Sequence, residues 1–262
     1  MLSRKDSARP GRWRSEPHQD EIMDACCDPA VRKVVVMAAS QVVGKSQMLN
    51  NVIGRFIDVD PSNMLVMHPT IAAAEKWSIG RLDPLITETK RLQGKIQPRK
   101  SRSIGDRILH RQFRGGQMFI VGSNAPADLA AQSVRIVIAD EVDRYEASAG
   151  EEGDPLELAE QRTETYPDAL ILETSTPLIE GLSRIAADYE DSERRIGQLD
   201  RPPCRERFAP EDRHLVVPER ADGSKDFGAA HTCSRLSCRS ARISWPRSRC
   251  TLGRPFLRRV TW

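Results

Sequence analysis

No apolar run in this 262-residue chain approaches the roughly 20 residues that a membrane-spanning helix requires. The basic N-terminal stretch, MLSRKDSARPGRWRSEP, also lacks the apolar segment of a secretory signal. A cytoplasmic protein with no membrane partner is the expectation. The six cysteines form no framework: Cys26 and Cys27 are adjacent, and Cys204, Cys233, Cys238 and Cys250 fall in the last quarter. Cys233 and Cys238, with His214 and His231 near them, suggest zinc, but a second pair of matching spacing is missing. Free thiols in a reducing compartment are expected instead. No internal repeat is detectable. A large net charge is lacking as well, and the formal +3 conceals an asymmetry. From Arg201 onward thirteen Arg and one Lys face six acids, a net of +8, which leaves −5 for residues 1–200. The basic character belongs to the tail, so net charge does not by itself argue that the core grips nucleic acid.

What is present is a chain whose 39% hydrophobic residues and mean hydropathy of −0.50 suit a globular protein with one sizeable core. Residues 33–39 (KVVVMAA) form a continuous apolar run, as a strand buried on both faces requires. Residues 63–67 (NMLVM), 134–139 (VRIVIA) and 169–173 (ALILE) read the same way. Between them, helical spacing is visible over residues 19–30, 45–58, 71–77, 83–92, 157–165 and 182–190, with a short helix at 126–132. A hairpin is expected where residues 104–110 and 117–122 flank Phe113-Arg114-Gly115-Gly116, after a basic loop over 93–106. Strands alternating with helices predict an α/β fold with a mainly parallel sheet wrapped by helices. Three regions follow: a flexible basic N-terminus (1–15), an α/β domain (16–195) and a tail (196–262). The tail, rich in Arg, Pro, Ser and Cys, has no sustained period and is expected to stay disordered.

Residues 33–58 supply strand, tight loop and helix in the order a phosphate loop demands. The loop reads Ala39-Ser40-Gln41-Val42-Val43-Gly44-Lys45-Ser46. It matches the last three positions of G-x-x-x-x-G-K-[ST] and carries Ala39 at the first glycine, tolerable if φ there is negative. Backbone amides around Gly44 would surround phosphate oxygens at a helix N-terminus. Lys45 would neutralise the β/γ-phosphates, and the Ser46 hydroxyl would ligate Mg²⁺. About 95 residues on, VRIVIADEVDRY ends a buried strand in two carboxylates. Asp140 is assigned to magnesium and Glu141 to activation of the attacking water, with Asp143 expected to be structural or a salt-bridge partner. The fourth strand ends Glu173-Thr174-Ser175-Thr176-Pro177, whose hydroxyls can sense the γ-phosphate or Glu141.

Four segments together resemble the large terminase subunit of lambda-type tailed phages, whose ATPase region is a RecA/helicase-like P-loop motor. They are Glu16-Pro17-His18-Gln19; Ser40-Gln41 through Ser46, with Asp60-Pro61 and His68-Pro69-Thr70; Phe113 to Gly116, Ala139 to Arg144 and Glu152 to Pro155; and Ser175-Thr176-Pro177 with Gly181-Leu182-Ser183. The resemblance spans residues 13–193. It implies that Gln19 reads adenine and that Ser40, Gln41, Gly44, Lys45 and Ser46 hold ATP. It implies further that Glu141 and Lys45 are catalytic, Ser46 and Asp140 hold Mg²⁺, and Ser175 and Thr176 couple hydrolysis to movement along double-stranded DNA. The partners implied are a small terminase subunit, the portal and a homo-oligomeric ring. An arginine finger is usual in such rings; Arg81, Arg144 and Arg162 are candidates, a surface or salt-bridge role is the alternative for each, and the sequence does not choose.

The family continues into a metal-dependent nuclease domain, and nuclease activity is not expected here. After Arg195 the resemblance stops, and the abrupt change in composition resembles translation in another frame, as in a truncated prophage remnant. The leading expectation is the ATPase of a DNA-packaging motor. The competing ones are a non-catalytic remnant, a helicase-like DNA-dependent ATPase, and an Arg-rich tail that binds nucleic acid without sequence preference.

Overall fold

A computed structural model describes residues 11, 13–39, 44–96, 106–125 and 133–195, with short pieces at 199–200, 207–208, 215–216 and 231–232. Helix α1 (Pro17–Ala25) leads into β1 (Lys33–Met37), and α2 (Lys45–Asp58) leads into β2 (Met64–His68). Helix α3 (Ile71–Trp77) runs through one π-helical turn at Ser78–Leu82 into α4 (Asp83–Glu88). Strands β3 (Asp106–Arg107), β4 (His110–Phe113) and β5 (Gly116–Gly122) follow, then β6 (Ile136–Asp140) and α5 (Pro155–Gln161). Strand β7 (Leu170–Ser175) and α6 (Arg184–Glu190) complete the domain. The seven strands form one sheet in the order β1-β7-β6-β2-β5-β4-β3. The first five are parallel, and β4 and β3 extend the sheet as antiparallel strands.

The parallel strands are buried on both faces, which is why they read as unbroken apolar runs instead of alternating ones. Their side chains nevertheless divide by the two-residue period. Val34, Val36, Met64, Val66, Ile136, Ile138, Leu170 and Leu172 join a core with Ile22 of α1 and Met48, Leu49, Val52, Ile53 and Phe56 of α2. Val35, Leu65, Met67, Val137, Ala139 and Ile171 join a second core with Leu156 and Ala159 of α5 and Ile185 of α6. The result is three layers, with the sheet in the middle. None of the described helices is long and apolar enough to cross a membrane.

Several boundaries differ from the sequence reading. The first helix ends at Ala25, short of residue 30. The stretch over 83–92 ends at Glu88, where Thr89 turns extended at φ −94° and ψ 105°. The helix at 157–165 begins earlier, at Pro155, because the Asp154 carboxylate caps the amides of Leu156 and Glu157. The π turn was not anticipated, and a tertiary contact explains it. The buried Ser78 hydroxyl donates to the Ile108 carbonyl, and Arg111 donates to both Ser78 Oγ (2.9 Å) and Asp83 Oδ1 (2.9 Å) across the turn. The expected helix at 126–132 lies outside the described residues, as does most of the loop at 93–106. Beyond residue 195 the described pieces are two-residue strands, β8 (Leu199–Asp200) with β9 (Arg207–Phe208) and β10 (Leu215–Val216) with β11 (His231–Thr232). Cys233, Cys238 and His214 lie outside the described residues.

Candidate nucleotide site

The carboxyl ends of β1, β7 and β6 meet on one side of the sheet, and β7 lies between the other two. At the usual strand spacing, the tips of β1 and β6 are therefore about 10 Å apart. The Lys45 side chain, carried on α2, reaches groups that follow the tips of both β6 and β7. It occupies the first position of α2, after Gly44, whose φ of 71° and ψ of 30° place it in the left-handed region. A side chain at Gly44 would be strained there and would come within 2.8 Å of Gln19 Nε2. Glycine is thus required both by conformation and by the close approach of α1. Ala39 is not among the described non-glycine residues of positive φ, so the departure from the consensus glycine has no backbone cost of that kind.

The Lys45 ammonium, on a side chain only 8% exposed, lies 2.8 Å from Thr176 Oγ1 and 3.3 Å from Glu141 Oε1. Thr176 Oγ1 donates in turn to the Ala38 carbonyl at 2.9 Å, tying the tip of β7 to the end of β1. On the other side, Thr174 Oγ1 donates to Asp140 Oδ1 at 2.7 Å, between residues directly paired in the ladder. Burial pushes the Asp140 carboxyl above its ordinary range; the Thr174 hydroxyl works the other way, and neighbouring Glu141 adds to the rise. The Lys45 ammonium also works against the rise, and a buried carboxylate of this kind suits a position that a metal ion would neutralise. Among the described residues no three His, Cys, Asp or Glu side chains converge on a metal position. Ser46, half-buried in the first turn of α2, lies next to Lys45 on that helix.

Glu141 is held in an unusual backbone state, φ 60° and ψ 46°, ahead of a short turn at Val142–Arg144. Its second oxygen, Oε2, pairs with Arg144 Nε at 3.2 Å. The turn is fixed by Asp143, whose amide donates to Ser175 Oγ (3.1 Å) and whose carboxylate accepts from the amides of Leu178 and Ile185 (2.9 Å each). Asp143 therefore acts on backbone amides, which is the structural role among the two expected of it. Ser175 is buried in this same staple, and Thr176 is the hydroxyl that reaches the lysine. Of the residues singled out in the sequence, Gln19, Gly44, Lys45, Ser46, Asp140, Glu141, Ser175 and Thr176 are gathered at or beside these strand tips. Ser40 and Gln41 lie outside the described residues. Sequence reasoning missed Thr174 as the partner of Asp140 and Arg144 as the partner of Glu141. The paired-strand register carries the first, and an i,i+3 spacing carries the second.

The family described as "Phage terminase large subunit gpA, ATPase domain" matches residues 7–247, past the change in composition near residue 195. Among curated proteins, the large terminase subunit of Enterobacteria phage P21 is 30% identical over 193 residues, and that of Escherichia phage lambda is 28% identical over 193 residues. Each alignment covers 73% of this chain, and the chain spans 30% of the length of either relative. Among solved structures, the large terminase ATPase domain of Thermus phage P74-26 matches with a TM-score of 0.48 and 18% identity, over 76% of this chain and 79% of that one. A point mutant of the same domain matches with a TM-score of 0.45 and 20% identity, over 69% and 73%.

Proposed function

Because the chain belongs to the family of phage terminase large subunit gpA ATPase domains, we propose that it is the ATP-hydrolysing motor module of a viral DNA-packaging enzyme. The observation that carries the reading is the Lys45 ammonium, suspended between Thr176 and Glu141 where three strands end. An ammonium so placed trades these oxygens for those of a β/γ-phosphate without moving its helix. Gly44 and the first amides of α2 cradle the phosphates at the helix N-terminus. Glu141 orients the attacking water and accepts its proton. Thr176, bonded to both Lys45 and the end of β1, registers whether a γ-phosphate is present. Gln19, packed on Gly44, is positioned to meet the base. Ser46 and Asp140 are the residues that would hold Mg²⁺, which would supply positive charge to the developing transition state. The work of hydrolysis is directed to duplex DNA, with a small terminase subunit, the portal and further copies of the chain as partners.

The test is Mg-dependent ATP hydrolysis by the chain beside Lys45→Ala and Glu141→Gln, with and without duplex DNA. We expect wild-type turnover, a loss of at least about a hundredfold in both variants, and stimulation by DNA. Nucleotide binding by Glu141→Gln but not by Lys45→Ala would separate the two roles. Turnover that survives Lys45→Ala would sink the assignment.

A further inference from the structure

Glu141 is the one carboxylate at the site shared between two cations, with Oε1 on Lys45 (3.3 Å) and Oε2 on Arg144 (3.2 Å). These cations differ in what they can do next. Lys45 is buried beside the phosphate cradle, and its Nζ is the group that an incoming polyphosphate claims. Arg144 is 61% exposed and stands on a turn that Asp143 clasps through three hydrogen bonds. The Glu141 carboxylate is thus a competitor for the lysine that phosphate needs, and it has a second anchor that phosphate leaves free. Its left-handed backbone, bounded by the ladder at Asp140 and by the Asp143 staple, leaves the side-chain torsions as the means of moving between the two.

We propose that Arg144 is a positioning residue that takes over the Glu141 carboxylate when phosphate occupies Lys45, drawing it out of the cradle and fixing it for the attacking water. The inference rests on the nucleotide-site reading above and assigns an intramolecular task to one of three arginines that the sequence left undecided. Loss of Arg144 leaves Glu141 bound to Lys45 alone, so that phosphate must displace a stronger pair. Nucleotide affinity then falls, and so does turnover at saturating nucleotide. Both effects require the Glu141 charge.

That requirement makes a double-mutant cycle the test. Binding of a non-hydrolysable ATP analogue is measured by calorimetry on the full chain as wild type, Arg144→Ala, Arg144→Lys, Glu141→Gln, the Arg144→Ala/Glu141→Gln double variant and Lys45→Ala. Turnover is measured on the same set. For a pair this exposed, Arg144→Ala is expected to weaken binding about two- to fivefold and to lower kcat about tenfold. Arg144→Lys should restore part of each, and in the Glu141→Gln background Arg144→Ala should change binding by nothing measurable. The melting temperature should not move. An Arg144→Ala effect of equal size in both backgrounds would mean that the guanidinium acts on phosphate itself, and no effect in either would mean a solvated surface pair; both outcomes overturn the proposal. If Lys45→Ala binds the analogue as tightly as wild type, the phosphate site is misassigned and the proposal falls with it. If Lys45→Ala abolishes binding while the Arg144 variants are silent, only the role of Arg144 is lost.

Discussion

At Glu141 the backbone adopts a conformation that costs a non-glycine residue on the order of 1 kcal/mol. The surroundings maintain it: β6 holds the preceding residue, and Asp143 holds the turn that follows. A second residue under tension with its environment is His68, at the tip of β2. Its ring is buried against Trp77, with centroids 5.1 Å apart, and its Nε2 has no hydrogen-bond partner among the described residues. Burial pushes its pKa down to about 4 from an ordinary value of 6.5. The folded state thus keeps His68 neutral where the unfolded chain would protonate it. Stability is fully present above about pH 6.5 and is lost as pH falls from there toward 4, by about 3 kcal/mol if the titration completes. Urea unfolding between pH 4 and 7.5 should show this slope in wild type and a flatter one in His68→Leu. Equal slopes would mean that the ring is not responsible.

Elements are joined by an ion pair with one buried member as well as by apolar packing. Lys33 opens β1 and Glu173 lies in β7, on the face that α6 covers. Their Nζ and Oε1 are 2.8 Å apart, and Glu160 of α5 (3.0 Å) and Asp188 of α6 (4.0 Å) complete the cluster. Glu173 is fully buried, and the lysine ammonium is the cation that faces its carboxyl. Burial pushes the Glu173 carboxyl up; Lys33 opposes this, and Asp188 reinforces it. A carboxyl raised by folding binds more protons in the native state than in the unfolded one, so stability falls as pH rises through that interval. Lys33→Met, which strands the carboxylate once it ionises, should cost little near neutral pH and up to about 3–5 kcal/mol at alkaline pH. Lys33→Met with Glu173→Leu should recover most of that loss in urea denaturation. A single variant as stable as wild type at alkaline pH would show that water reaches Glu173.

On the scale of the whole molecule, charge and architecture separate. Residues 1–200 carry −5 and include the described sheet and the nucleotide site, whereas residues from Arg201 carry +8. Phosphate contacts release counterions, so DNA binding through such a tail weakens steeply with salt. Removal of residues 196–262 should leave the melting temperature within a few degrees and abolish most of the salt-dependent duplex binding. Binding that persists with the same salt slope would assign the contact to the α/β domain.

Local chemistry made much of this legible from residues alone. The four apolar runs at 33–39, 63–67, 134–139 and 169–173 had to be buried parallel strands, because unbroken apolar stretches of that length find partners on both faces only under covering helices. Helix α2 was readable to the residue from its apolar spacing, and the apolar run before Asp140 was enough to put Asp140-Glu141 at the end of a buried strand. Strand order was not readable. It arises from how crossovers pack, and it alone put β7 between the lysine-bearing and acidic strands, making Thr176 the bridge and Thr174 the partner of Asp140. The π turn at Ser78–Leu82 likewise depends on Arg111, about thirty residues away in sequence. What spacing and hydropathy encode is each segment's local preference and which face it must bury. Pairing across long separations is fixed only when the layers close, because the energy that selects it resides in contacts that no single segment contains.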